Sequence, residues 1–207
     1  MKDKKRLIIL IVVIVITLIV CGIIVYDYMK DDISKPGTSE VQITNNISKY
    51  GYVLKDTDTD YYKELFDKLK VVLDKEEVEE ELYATLLSQL FVTDFYTLSN
   101  KLSSSDVGGL NFVLAENKDN FASKAKDTMY KSIKTNLYGD REQELPTVTK
   151  VSVDNIITNN YSYGDKKDAE AYSVKCSVTY DKDLGYPTTV KLTLVHTDNK
   201  LEVAKVN

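Results

Sequence analysis

The sequence predicts an α+β protein with one N-terminal transmembrane helix, followed by helices packed on one face of a four-stranded antiparallel sheet. Three observations lead to this fold class. An uncharged apolar run occupies residues 7–26. Apolar residues between positions 60 and 138 then recur about every four positions, which is the period of a helix. From residue 148 onwards they alternate with polar residues, which is the period of a half-buried strand.

The apolar run begins at Leu7 and ends at Tyr26, and it contains neither a charge nor a proline. At 1.5 Å per residue, a helix of about 20 residues spans the roughly 30 Å of a bilayer's hydrocarbon core. Residues 1–6 carry a net charge of +3, whereas the residues just after the run are net acidic. Because cytoplasmic flanks carry the excess of Lys and Arg, we predict a cytoplasmic basic tail at residues 1–6 and an extracytoplasmic location for everything after the helix.

Two other interpretations of this run are open. Cys21 ends a stretch that resembles the lipid-attachment box of lipoproteins, but Val20 stands where such boxes have a small residue. A cleaved signal peptide would have an apolar core of about 7–15 residues and a small-residue cleavage site, whereas this run is longer and no such site follows it. An uncleaved anchor is therefore the prediction, with the lipid bilayer as the partner of residues 7–26.

The composition limits the partners of the outer part of the chain. The whole chain has a formal net charge of −5, so the residues beyond the basic tail carry −8. Such an acidic domain is a poor binder of nucleic acid, because phosphate contacts need clustered Lys and Arg. The two cysteines, Cys21 and Cys176, fall in the predicted membrane span and in the outer domain, so they cannot pair with each other. No cofactor and no metal ion is predicted.

Residues 27–57 are predicted to form a flexible extracytoplasmic linker, followed by one α+β domain at residues 58–207. Apolar residues are isolated in most of the linker, and Pro36 and Gly37 interrupt any periodic pattern. A short apolar patch at residues 50–54 is the exception. We expect this patch to make the first contact between the linker and the domain.

The first helix of the domain is predicted at residues 60–73, where apolar residues follow one helical face. Acidic residues at its start suit the positive end of the helix dipole. An alternative is a calcium-binding loop, whose positions one, three, five and twelve are filled by Asp56, Asp58, Asp60 and Asp67. Tyr61 replaces the glycine that such a loop requires, so a capped helix is favoured.

The second helix is predicted at residues 75–101, and from residue 82 onwards it is apolar on nearly its whole circumference. A helix of this kind is buried, so we expect it to be the spine of the domain. Asp94 falls among apolar side chains on the helical wheel. Because a buried carboxylate must be hydrogen-bonded or paired, Asp94 is either a structural residue satisfied by backbone amides or a lysine, or a polar group inside a pocket.

A loop at residues 103–109 separates the second helix from a third, amphipathic helix predicted at residues 119–138. The adjacent residues Gly108 and Gly109 indicate a tight turn or a close approach of two backbone segments. Asp106 has a side chain suited to capping a helix. Neither the lysine nor the spacing of a phosphate-binding loop is present.

Four strands follow, predicted at residues 148–161, 170–180, 188–196 and 201–206. We expect a bulge near Asn155 and a tight hairpin at Asp198 and Asn199. Cys176 lies on the inward face, which favours a small core residue over a nucleophile. His196, the only histidine of the chain, continues an inward row at a strand end and is predicted to lie at the rim of the core.

The helical half also contains a set of short motifs. They are Asp94-Phe-Tyr-x-Leu98, Asn100-Lys101, Asp106-Val-Gly-Gly109, Asn120-Phe121, Ala125-Lys-Asp-Thr-x-Tyr130 and Leu145-Pro146. Together, over about residues 50–146, they resemble uncharacterised single-pass membrane proteins of low-GC Gram-positive bacteria. This resemblance implies an envelope location and no catalytic residue. The order of helices and then a four-stranded meander is also similar to the cystatin-like, nuclear-transport-factor-like cone.

Three hypotheses for function follow. The leading one is a membrane-anchored extracytoplasmic interaction or scaffold domain of the cell envelope, with a protein partner and without catalysis. The second is a small-molecule or peptide binding module whose pocket lies between helices and sheet. Its candidate residues are Asp94, Tyr96, Asp106, Tyr130 and His196. The third, an enzyme with Asp94 or His196 as general base, is least favoured because no second catalytic group can be placed beside either residue.

Overall fold

The structure is a computed structural model that describes residues 41–198 and 200–207. In this part the chain is α+β, as predicted, with three α-helices, a four-stranded antiparallel sheet and a separate two-stranded hairpin. The strands are β1 (Ile43–Ile47), β2 (Tyr52–Lys55), β3 (Val148–Tyr163), β4 (Lys166–Tyr180), β5 (Thr189–Thr197) and β6 (Lys200–Val206). The helices are α1 (Asp60–Leu73), α2 (Glu80–Tyr96) and α3 (Lys118–Asp127), the last preceded by a 3₁₀ turn at Ala115–Asn117.

The main sheet is a meander with the strand order β3-β4-β5-β6. Its inward faces carry the alternating apolar residues, so that Val174 and Cys176 of β4 are almost completely buried. The pairing of β3 with β4 shifts between Val153 and Asn155, which confirms the predicted bulge. Two residues join β5 to β6, and Asp198 has a φ of 51°, the left-handed conformation used in tight hairpins.

Helix α2 is the spine of the described domain, as its all-round apolar sequence predicts. It packs against β3, β4 and β5 on one side and against α1 on the other. Helix α1 has the predicted bounds because its start is fixed locally: the hydroxyl of Thr59 accepts the N–H of Tyr62 at 3.2 Å. Helix α2 is therefore in contact with both the sheet and α1.

The predicted linker is corrected by the hairpin of β1 and β2, which lies inside residues 27–57. Tyr52 is fully buried, and its ring centroid lies 4.9 Å from that of Phe112. The Tyr52 hydroxyl lies 2.5 Å from the Tyr83 hydroxyl and donates to the carbonyl oxygen of Leu201 at 3.2 Å. The apolar patch at residues 50–54 thus packs on the domain as expected. The sequence missed the hairpin because its first strand, Ile43–Ile47, has few apolar residues.

Helix α2 is shorter at both ends than the predicted helix at residues 75–101. It begins at Glu80, after a stretch in which like charges three and four residues apart disfavour helix. It ends at Tyr96, because Thr97 takes an extended conformation with a ψ of 100°. The N–H of Leu98 then donates to the carbonyl oxygen of Pro146 at 2.9 Å. The chain therefore leaves the helix to pair with the segment before β3.

Helix α3 ends at Asp127 rather than at residue 138. Thr128 leaves the helical conformation, with φ −117° and ψ −93°. This break lets the ring of Tyr130 turn inward, where it is fully buried and its hydroxyl is hydrogen-bonded. Tertiary contacts of one tyrosine thus override the four-residue apolar period that predicted a longer helix.

The predicted membrane anchor at residues 7–26 and the cytoplasmic tail lie outside the residues that the structure describes. Among residues 41–198 and 200–207, none of the helices has both the length and the apolar character needed to cross a bilayer. The anchor therefore stays a prediction from the sequence.

Candidate functional site

His196 and Asp168 meet where strands β4 and β5 separate. The last paired residues of these strands are Tyr172 and Leu194. Beyond this point the side chain of Asp168 replaces the missing strand pairing: its Oδ2 accepts the N–H of His196 at 2.7 Å and lies 2.9 Å from the Nδ1 of the same residue. Its Oδ1 accepts the N–H of Glu170 at 2.9 Å. One carboxylate thus fixes both the backbone and the ring of the histidine.

The charge of Asp168 determines which ring nitrogen of His196 carries a proton. Burial alone would raise the pKa of Asp168, but the N–H groups of His196 and Glu170 and the nearby imidazole lower it below its ordinary value. The carboxylate is therefore ionised at neutral pH and can only accept hydrogen bonds. In the neutral ring Nδ1 must be the donor, which leaves Nε2 with a free lone pair.

The Nε2 atom of His196 faces a pocket of about 250 Å³. Across it lies Glu80, in the first turn of α2, whose Oε2 is 3.6 Å from Nε2. The pocket is formed by the β1–β2 turn, the start of α2 and the β5–β6 hairpin. Its other polar side chains are Lys49, Asp198 and Lys200, and its apolar walls include Tyr50, Val78 and Leu201. Within the described part of the chain, no group of three side chains suited to bind a metal ion occurs.

Asp94, the first predicted pocket residue, has a side chain that is 13% exposed and is hydrogen-bonded by protein groups. Its Oδ1 lies 2.5 Å from Nζ of Lys101, and its Oδ2 accepts the N–H of Gly109 at 2.6 Å. Burial alone would raise the pKa of Asp94, but the Lys101 ammonium and the Gly109 N–H lower it below its ordinary value. Asp94 lines neither the pocket at His196 nor the groove described below. This geometry favours the structural interpretation of Asp94.

The loop at residues 103–109 packs directly on the end of α2. A Cβ atom at Gly108 would lie 2.2 Å from the carbonyl oxygen of Asp94, which confirms the predicted close approach of two backbone segments. The hydroxyl of Tyr130 accepts the N–H of Gly108 at 3.1 Å and donates to the carbonyl oxygen of Phe95 at 2.6 Å. Tyr130 and Asp94 therefore serve the same junction between α2 and this loop.

Asp106 and Tyr96 have local roles near the same junction. Oδ2 of Asp106 accepts the N–H of Leu102 at 2.9 Å and closes the loop, instead of capping a helix. Tyr96 is buried with its ring centroid 5.0 Å from that of Phe95, and burial raises the pKa of its hydroxyl to about 12. Of the five predicted pocket residues, His196 lines the pocket described above, whereas the other four line neither this pocket nor the groove described below.

A second surface feature is an apolar groove of about 480 Å³ beside α1 and the start of α2, which we call the α1–α2 groove. Its floor contains Val72 and Leu86, which are 4% and 5% exposed, whereas Val71 at its edge is 65% exposed. The residues that line it are Asp67, Lys68, Val71, Val72, Lys75, Leu82 and Leu86. Only its rim is charged.

The sequence did not single out Asp168 or Glu80 as site residues. Asp168 lies in a polar stretch at the tip of a hairpin, and Glu80 is one of several consecutive glutamates, which looked like a solvated face. One signal was available: a lone histidine at the end of an inward row needs a partner for its ring N–H. That signal does not name the partner, because Asp168 is 28 residues away in sequence.

No protein-family model matches the chain, and neither does any curated protein or any solved structure. The residues and their geometry therefore carry the functional argument.

Proposed function

We propose that this protein is a membrane-anchored extracytoplasmic interaction domain of the cell envelope, and that it recruits a protein partner without catalysis. Residues 7–26 would hold it in the cell membrane with the N-terminus in the cytoplasm and the described domain outside. The sequence pattern supports the anchor, and the α1–α2 groove supports the interaction. We further propose that the helix-on-meander arrangement is a cystatin-like cone, and that the motif resemblance to Gram-positive envelope proteins reflects a common family.

The α1–α2 groove is the observation that carries the interaction function. A single exposed apolar side chain is ordinary on a protein surface, but Val71 stands at the edge of a hollow whose floor is also apolar. Covering such a surface contributes roughly 25 cal/mol for each Å² of apolar area removed from water. The volume of about 480 Å³ lies within the usual range for binding pockets.

The shape and charge of the groove favour an amphipathic helix as its occupant. One wall follows α1 from Asp67 to Val72, about 8 Å at 1.5 Å per residue, and Lys75 extends it just beyond the end of the helix. Two turns of a partner helix with apolar residues at i, i+3 or i+4, and i+7 match this length. The charged residues that line the groove are two lysines, Lys68 and Lys75, and one aspartate, Asp67, so their net positive charge favours acidic residues beside those apolar positions.

The test replaces Val71 with photo-crosslinking benzoylphenylalanine in the full-length chain, in cells that produce the protein. Ile157, a second β-branched residue that is 51% exposed, receives the same crosslinker as the matched control. We expect one adduct from position 71 and none from position 157. The crosslinked peptide should be an amphipathic helix with acidic flanks, and the double change Lys68→Glu and Lys75→Glu should lower the yield at least fivefold.

Several outcomes would contradict the proposal. Equal labelling from positions 71 and 157, or no adduct from position 71, would remove the groove as an interaction site. An adduct with a second copy of the chain would replace the partner by self-association. The same cells also test the anchor, because an intact chain found in the cytosol, or a domain protected from protease added outside the cells, would exclude the proposed location.

A second candidate function, ligand binding, is favoured by the pocket at His196. This pocket has polar and apolar walls and a histidine whose ring is held in place by Asp168. It shares no lining residue with the α1–α2 groove, so the two functions are compatible. The original expectation of a pocket beside Asp94 gains no support from the contacts of that residue.

A further inference from the structure

We propose that the pocket at His196 binds a primary ammonium group, held by Nε2 of His196 and the carboxylate of Glu80. This inference rests on the ligand-binding function proposed for the pocket and adds the chemical class of the ligand. When the ring of His196 is neutral, Nε2 and Oε2 of Glu80 are two hydrogen-bond acceptors 3.6 Å apart, and this distance is too long for a hydrogen bond between them.

The first acceptor is fixed by the contacts of Asp168. Oδ2 of Asp168 accepts hydrogen bonds from Nδ1–H of the neutral ring at 2.9 Å and from the backbone N–H of His196 at 2.7 Å, so the ring cannot turn over without losing a hydrogen bond. In the neutral ring Nε2 therefore keeps its lone pair, and it lies 3.6 Å from Oε2 of Glu80. The side chain of His196 is 31% exposed, so a small ligand can reach it from solvent.

The second acceptor is the carboxylate of Glu80, whose side chain is 58% exposed. A nitrogen atom placed off the line between the two acceptors can lie about 2.9 Å from both, which is the usual length of such bonds. A primary ammonium group has three N–H donors and can serve both acceptors at once. A quaternary ammonium group or a carboxylate has no donor for either of them.

The other charges around the pocket are compatible with a cation. Lys200 is directed to Glu202, with 2.7 Å between Nζ and Oε1, and Lys49 lies over the ring of Tyr50 at 5.4 Å from its centroid. Asp198 adds a second carboxylate to the lining. The apolar walls can cover a short aliphatic chain behind the ammonium group.

A proton on His196 and the ammonium group of a ligand compete for the same lone pair, that of Nε2. The groups that face the ring are Asp168 and Tyr172 from β4, Glu80 from α2, and Asp198 and Lys200 from the β5–β6 hairpin, with Lys49 across the pocket. A proton on Nε2 turns this acceptor into a donor for Glu80. An ammonium group can therefore bind only while Nε2 carries no proton.

The experiment uses the full-length chain in detergent micelles with ¹³C-labelled histidine, which gives a single reporter because the chain has one histidine. The probes are n-butylammonium, butyltrimethylammonium and butyrate at pH 8. We expect saturable shifts of the His196 ring signals with n-butylammonium at pH 8. Binding should be at least tenfold weaker for the other two probes.

Two variants separate the pocket from non-specific effects. Glu80→Gln removes the charged acceptor and should weaken n-butylammonium at least tenfold, whereas Glu76→Gln, a matched loss of charge outside the pocket, should leave binding unchanged. If butyltrimethylammonium or butyrate binds as well as n-butylammonium, the pocket binds ligands but the ammonium inference is wrong. If none of the probes shifts the His196 signals, both the inference and the ligand-binding function are overturned.

Discussion

The pair of Asp94 and Lys101 shows how much one buried contact can decide in this protein. Their side chains are only 13% and 6% exposed, and the ammonium lies 2.5 Å from the carboxylate. Forming such a pair contributes little net stability, because both charges lose their water. Removing one partner is costly, because the other charge stays buried without compensation.

We therefore expect Asp94→Asn to lower the free energy of unfolding by about 3–5 kcal/mol at pH 7, the usual range for breaking a buried pair. The double variant Asp94→Asn with Lys101→Met should be more stable than Asp94→Asn alone, because it removes the unpaired ammonium. Urea denaturation of residues 41–207 measures both values. If the two variants are equally unstable, the charge of Lys101 is not the cause of the loss.

At this scale the sequence predicted the burial of Asp94 and a lysine or backbone amides as its partners, but not that the lysine is Lys101. Burial follows from the helical wheel, which depends only on local geometry. Lys101 was missed because the predicted helix continued through it, and in such a helix two residues seven positions apart are separated by about 10 Å along the axis. The chain leaves the helix at Thr97, and only this departure brings the lysine back to the carboxylate.

At the scale of elements, strand β3 shows how the open edge of the sheet is protected. The N–H of Val151 donates to the hydroxyl of Tyr61 at 2.9 Å, and the same hydroxyl donates to the carbonyl oxygen of Val151 at 3.2 Å. The side-chain amide of Gln89 also donates to that oxygen, at 2.8 Å. The two side chains come from α1 and α2, so the helices occupy the backbone groups that another strand would otherwise pair with.

Tyr61→Phe should lower the free energy of unfolding by about 1–3 kcal/mol, the cost of leaving a backbone donor without a partner. It should also increase concentration-dependent association, because it reopens the edge at Val151. Tyr186→Phe is the matched control, because the hydroxyl of Tyr186 makes no hydrogen bond to the described residues. Thermal unfolding and light scattering at several protein concentrations give the two readouts, and equal behaviour of the two variants would contradict this role of Tyr61.

The ends of elements were predictable only where the capping groups are local. Helix α1 has the expected bounds because Thr59, its neighbour in sequence, caps it. Helices α2 and α3 end early because of hydrogen bonds to groups that are distant in sequence. After α2, Leu98 bonds to Pro146, and after α3, Tyr130 bonds to Phe95. The β1–β2 hairpin was missed for a related reason, since Tyr52 is stabilised by contacts with α2 and β6 and not by its own strand pattern.

At the scale of the whole molecule, helix α2 connects all the features discussed above. Its first turn supplies Glu80 to the pocket, Leu82 and Leu86 line the groove, and its last turns carry Asp94. The order of helices and strands was sufficient to predict the α+β class, because class depends on the period of apolar residues. The pocket was not predictable, because it forms where three segments that are distant in sequence meet.

The stability of the whole molecule in acid depends on aspartates whose pKa values shift in opposite directions. The pKa values of Asp94 and Asp168 are below their ordinary value of 3.8 in the folded protein. Their contribution to stability is therefore present above about pH 4 and is lost as the pH falls through the lowered values. Burial, opposed by the N–H of Lys55 and helped by the charge of Asp94, raises the pKa of Asp58 above 3.8. Ionised Asp58 therefore lowers stability above its raised pKa, and its protonation relieves this effect.

Because the pKa values of Asp58 and Asp94 shift in opposite directions, replacing each aspartate by asparagine should change the free energy of unfolding in opposite directions. At pH 7, Asp58→Asn should raise the free energy of unfolding, because the amide mimics the neutral acid and can still accept the N–H of Lys55, which lies 2.7 Å from Oδ2. Asp94→Asn should lower it. Below pH 3 both differences should shrink, because protonation neutralises Asp58 and begins to neutralise Asp94 in the unmodified chain as well. Urea denaturation between pH 2.5 and pH 7 measures the profiles, and a loss of stability in Asp58→Asn at pH 7 would show that its charge is favourable in the fold.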